Sequence, residues 1–135
     1  MQNSFEVGPD AVDINDLYCM TMNIYHESRG EPVQGQLAVG NVVINRVDSP
    51  DFPNTYCGVI LQDKQFSWYW DGKSDRIRNM EDFKLAAELS FMLLIGYIED
   101  NTEGALYYYN PSVVNPYWAT AYNYKVTHAN HVFLQ

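Results

Sequence analysis

Two apolar, helix-periodic runs meet at the break Arg29-Gly30-Glu31-Pro32, and this break constrains the course of the chain more than any other feature. Before it, Ile14, Leu17, Thr21, Ile24 and Ser28 recur at the spacing of one helix face. After it, Leu37, Val39, Val43, Ile44 and Val47 resume the pattern, with the small residues Gly35, Ala38 and Gly40 allowing close approach by a neighbour. One helix cannot run through, because Pro32 disfavours helical backbone at Glu31 and glycine is a common helix terminator. The pattern predicts two helices joined by a tight corner. Asp13 caps the first, with Asp16 in its opening turn, and the second spans about residues 33–47.

The corner carries acids. At about 100° per residue, Glu27 falls beside Met20 and Ile24, on the margin of the apolar stripe, so its carboxyl is expected to be partly desolvated. Burial disfavours the charged form and raises a carboxyl pKa. A carboxyl that keeps its proton near neutrality is what a leaving oxygen needs when a glycosidic bond breaks. No second acid is as well placed. Glu31 precedes a proline and suits a backbone cap or a pairing with Arg29 or Arg46 as well as a catalytic role. Asp71 and Asp75 belong to a turn-like, solvated segment.

The remainder of the chain bounds the function classes. With 135 residues, 47% of them hydrophobic, one domain with a core is expected, over residues 13–135, after a loose polar lead-in at residues 1–12. The formal charge of −9, with no cluster among the 8 Lys and Arg, speaks against nucleic-acid binding. The apolar run at residues 89–98 is about half a membrane span and suits a buried helix, so no membrane insertion is expected. That run closes a third helix at about residues 81–97. Residues 48–80 read as loop, and the stretch QFSWYWDGKSD sets three aromatics before an Asp-Gly turn, suited to a core or to sugar stacking. Two strands are expected at ALYYYN and HVFLQ. Cys19 and Cys57 read as buried free thiols, with a single disulfide as the alternative. His26, His128 and His131 form no metal-binding spacing, and neither metal nor cofactor is expected. The N-terminus lacks the basic and apolar regions of a Sec-type signal peptide.

Taken in order, YHESRGEPVQGQLAVGNVVINRV, FPNTYCGVILQ, QFSW, GALYYYNP and HVF resemble the SleB/CwlJ-type cell wall hydrolases, the family of spore cortex-lytic enzymes. The resemblance runs over residues 17–133, with Ser28 where alanine is common and Leu134 where an aromatic often stands. It implies an α+β fold, a mainly helical lysozyme-like domain with a small sheet or hairpin. It also implies cleavage of peptidoglycan glycan strands with Glu27 as the catalytic acid. Glu31, Gln65, Phe66, Ser67, Trp68, Tyr108 and His131 are then the candidate substrate-binding residues.

With one dominant acid, the favoured reaction is that of a lytic transglycosylase leaving 1,6-anhydromuramoyl ends. A hydrolytic muramidase or glucosaminidase, helped by Glu31, Asp71 or Asp75, and a non-catalytic peptidoglycan-binding module are the alternatives. The expected partner is the glycan strand, met by a monomer. The absence of a leader and of wall-binding repeats points to a phage lysis or virion-associated protein that is made in the cytoplasm and acts on the wall.

Overall fold

Asp13 starts the first helix: its carboxylate accepts from the backbone N–H of Asn15 at 2.7 Å and of Asp16 at 3.3 Å. A cap of this kind contributes about 1 kcal/mol. In the computed structural model, which describes residues 12–62 and 77–135, helix α1 spans Ile14–Ser28. Cys19, Met20, Thr21, Met22, Asn23, Ile24 and Tyr25 are all buried, so its middle is enclosed on every side rather than along one stripe. The predicted stripe is corrected at its start, where Ile14 is 72% exposed. That first turn projects beyond the elements packed around the middle of the helix.

The corner forms as predicted. Gly30 takes a φ of +82°, Glu31 N–H donates to the Ser28 carbonyl at 3.1 Å, and Pro32 precedes helix α2, Val33–Val47. Pro32 lacks only an N–H that a helix start leaves unused. A Cβ on Gly40 would strike Leu93 Cδ1 and lie 3.1 Å from Ile24 Cδ1, which is why α2 approaches closely only with glycine there.

Helix α3, Tyr56–Leu61, lies within the stretch expected to be loop. Its six residues are too few to show a period, and it is started by Thr55, whose hydroxyl accepts from Gly58 N–H at 3.0 Å. Docking α3 on α1 brings Cys57 to Cys19 with Cα atoms 5.4 Å apart, and the two form a disulfide. This corrects the expectation of free thiols: 38 residues separate them, and only the packing of α3 against α1 brings them together.

Helix α4, Met80–Leu94, ends short of the expected Tyr97. Gly96, at φ +80°, donates to the Leu93 carbonyl and Tyr97 N–H to the Met92 carbonyl, a C-cap that stops the helix.

Strands β1 (Tyr107–Tyr109), β2 (Tyr124–His128) and β3 (His131–Leu134) form an antiparallel sheet of order β1-β3-β2. Two of them were expected. The third, β2, follows a short 3-10 helix, Tyr117–Ala121; two of its five residues are exposed and none is fully buried, so it lacks the apolar signature of its neighbours. Helix α2 joins two cores. One gathers Met20, Ile24 and Tyr25 of α1 with Val43, Ile60 and Leu93; the other sets Val39 and Val42 against Ala105 and Phe133 of the sheet layer. No helix among the described residues is long and apolar enough to cross a membrane. Most of the lead-in, with Gln65, Phe66, Ser67, Trp68, Asp71 and Asp75, lies outside the described residues.

Removing the cross-link by a paired Cys19→Ser, Cys57→Ser substitution should free a loop whose closure is worth about 4 kcal/mol, lowering the melting temperature by about 10–15 °C. Equal melting curves for the oxidised and substituted proteins would contradict this. Gly40→Ala should cost about 1–3 kcal/mol in denaturant titrations, through overpacking against Leu93 and Ile24.

Candidate active site

Glu27 occupies the last turn of α1, where the enclosed helix emerges at the sheet. Its carboxyl lines a cleft of about 630 Å³ together with Tyr108 and Tyr109 of β1, His131 of β3, Arg46 of α2 and Trp118 of the 3-10 helix. The Tyr108 hydroxyl donates to Glu27 Oε1 over a long 3.4 Å. Burial pushes the Glu27 carboxyl up to about 7; the Tyr108 hydrogen bond pulls it down, and the negative charge of Glu31 adds to the rise. Burial and the neighbouring Glu27 hold the Tyr108 phenol well above its usual range, so it stays an O–H donor.

Among the described residues Glu31 pairs with no arginine, contrary to one of the two structural roles expected of it. Its Oε1 lies 3.0 Å from His131 Nδ1, with the two side chains only 13% and 7% exposed. With Glu31 ionised, Nδ1 is the nitrogen that carries the proton in this bond. Arg29 instead donates from Nη1 to the Tyr25 hydroxyl at 2.6 Å. Arg46 donates from Nε to the Leu106 carbonyl at 2.7 Å, its guanidinium 4.9 Å from the centre of the Phe52 ring. Gly35 makes room for the acid: a Cβ there would sit 3.3 Å from Glu31 Oε1 and 3.0 Å from Ala129 Cβ in the β2–β3 turn. The Tyr108 ring stands edge-on to His131, with centroids 5.2 Å apart, and links the Glu31–His131 pair to the Glu27 carboxyl.

The fold thus gathers Glu27, Glu31, Tyr108 and His131, which are up to 104 positions apart (131 − 27), from a helix end, a corner and two strands. It also brings Tyr109 and Trp118 to the cleft, and of the two Trp118 was not singled out in sequence as a site residue. Tyr109 stands in the expected strand, whereas Trp118 sits in a turn-rich stretch whose only signal is a tryptophan among tyrosines. Among the described residues, no group of three His, Cys, Asp or Glu side chains is placed to hold a metal ion.

Comparison with known proteins follows the same lines. The profile of the Cell Wall Hydrolase family matches residues 30–134, beginning just after Glu27. The spore cortex-lytic enzyme of Bacillus cereus is 38% identical over 117 residues, 87% of this chain and 43% of that protein. That of Bacillus subtilis (strain 168) is 36% identical over 110 residues, 82% of this chain and 34% of its own. The chain therefore spans less than half the length of these curated relatives. Among solved structures, the catalytic domain of the germination-specific lytic transglycosylase SleB from Bacillus anthracis superposes with a TM-score of 0.76 at 35% identity, covering 95% of this chain and 100% of that one. The catalytic domain of the Bacillus cereus SleB protein gives 0.73 at 35% identity, covering 96% of each.

The Glu27 proton provides a direct check. The folded chain holds it more tightly than the unfolded one, so its stabilising contribution is full below about 4.5 and is lost as the pH rises to about 7. Glu27→Gln should therefore raise the melting temperature relative to wild type more at pH 8 than at pH 4. Carboxyl NMR should place the Glu27 midpoint near 7, higher in Tyr108→Phe and lower in Glu31→Gln. A midpoint near the ordinary carboxyl value would refute this electrostatic account of the site.

Proposed function

The chain belongs to the cell wall hydrolase family, and on that premise we propose that it cleaves the glycan strands of peptidoglycan as a lytic transglycosylase, with Glu27 as its acid and then its base. The observation that carries this reading is the Glu27 carboxyl in an aromatic-lined cleft, with its proton affinity pushed up to about 7. Such a group is present in both protonation states near neutrality, as a residue that first gives and then takes a proton requires.

In the first step, the Glu27 carboxyl transfers its proton to the glycosidic oxygen as the bond from that oxygen to the sugar C1 breaks. The departing strand leaves with a hydroxyl, and C1 carries the developing positive charge. The new Glu27 carboxylate then takes the proton of the muramoyl 6-hydroxyl while that oxygen bonds to C1, closing the 1,6-anhydro ring. No water is consumed. Tyr108, still an O–H donor, steadies the carboxylate formed between the steps. Glu31, bonded to His131, supports the cycle through its charge, which favours return of the proton to Glu27.

The names of the relatives and of the solved neighbours support this class of substrate and reaction. The disulfide supports action in an oxidising compartment outside the cytoplasm. A hydrolytic reading is favoured by one feature, the proximity of Glu31, whose charge is felt at Glu27 and which offers a second carboxylate to orient water.

Mass spectrometry of digested walls tests the choice. Strand ends should be about 18 Da lighter than hydrolytic ends, one water less, as the closed anhydro ring requires. Glu27→Gln should cut turnover by about 100- to 10,000-fold, the range for a lost general acid, while Glu31→Gln loses about 10-fold. Hydrolytic ends with equal losses in both variants would select the two-carboxylate mechanism. Strand binding without cleavage by the wild-type protein would reduce the chain to a binding module.

A further inference from the structure

Beyond the Glu27 cleft lies a second compartment of about 310 Å³, about half the size of the first, whose walls include Phe52, Tyr107, Tyr117, Trp118 and Tyr122. Trp118, Tyr108 and Arg46 line both spaces, so the two adjoin along a boundary that these side chains share. The Tyr107 and Tyr122 rings stack with centroids 4.2 Å apart and planes 27° from parallel. Trp118 stands 6.1 Å from each of them. Arg46 joins this wall, its guanidinium 5.5 Å from the centre of the Tyr107 ring.

Packing alone does not account for these aromatics. Tyr117, Trp118 and Tyr122 belong to neither hydrophobic core, and Tyr117 is 91% and Tyr122 37% exposed. Large rings held partly open to water, with phenol hydroxyls at their edges, match the two faces of a pyranose: an apolar C–H face to stack and a rim of hydroxyls to hydrogen-bond. A glycan strand is a linear polymer, so a ring poised at Glu27 has a neighbour that must lie on one side or the other of the cut bond. Resting on the reading above, we propose that this compartment is a second sugar subsite, taking the pyranose next along the strand from the one at Glu27. Trp118 is the platform that the two rings share.

The test uses peptide-free glycan strands of graded length. With the wild-type protein, turnover at low substrate should rise steeply once a strand is long enough to occupy both compartments. Trp118→Ala should raise KM on long strands by about 10-fold or more, with kcat and the pH midpoint little changed, and should flatten the length dependence; Trp118→Phe should restore most of both. Tyr117→Ala, at a site too exposed to affect folding, should raise KM about 3-fold with an unchanged melting curve, which keeps the test open should Trp118→Ala fold poorly. Unchanged KM and length dependence in folded Trp118→Ala, or in Tyr117→Ala if the former does not fold, would overturn the subsite. Should the wild-type protein cut no strand, the functional reading fails separately. Calorimetry with N-acetylglucosamine tetramer then decides the subsite: binding weakened by Tyr117→Ala sustains it, and binding absent or unaffected overturns it.

Discussion

A carboxyl at the end of a helix enclosed on every side is the constraint on which the rest of this structure depends. The middle of α1 has no face left for solvent, so Glu27 emerges from the interior rather than lying along a wet surface. Its proton affinity follows from that placement: burial is the largest contribution, and the nearby groups only adjust it. The elements that enclose α1, namely α2, α3 and α4, therefore help set that proton affinity although none of them carries the acid.

Helix α2 holds the two halves of the site in register. One side packs against α1 and α4 and the other against the sheet, so the strands bearing Tyr108 and His131 are positioned relative to Glu27 through one rigid body. Two glycines set the spacing. Gly40 lets α2 close on α1, and Gly35 leaves the volume that the Glu31 carboxylate fills. Glu31 is then fixed by His131, which makes it a charge neighbour of Glu27 with its own partner.

The helical part of the fold was legible in the sequence because its signals are local. Asp13 as a cap, Gly30 and Pro32 as a break, and the period through Val47 each act within a few residues, and the observed α1 and α2 follow them. Where a signal needs length, the sequence was silent: α3 is too short for a period, and β2 is too exposed for an apolar alternation. The stripe read on α1 was too narrow because periodicity reports the most apolar face of a helix and not how many neighbours will cover the others.

Glu27 could be picked out from its own surroundings, since an acid on an apolar margin beside a helix break is a local pattern. Its neighbours Glu31, Tyr108 and His131 could be named only through the family resemblance, and their contacts could not be read at all. The pairing of Glu31 with His131 rather than with an arginine, the disulfide between Cys19 and Cys57, and the approach of Trp118 to the cleft all join residues far apart in the chain. What the sequence determined by itself was where helices start and stop, and which acid would meet apolar surroundings. The tertiary structure alone decided how the groups around that acid contact it and one another, because contacts across the chain depend on how helices and sheet pack, and no local propensity encodes that.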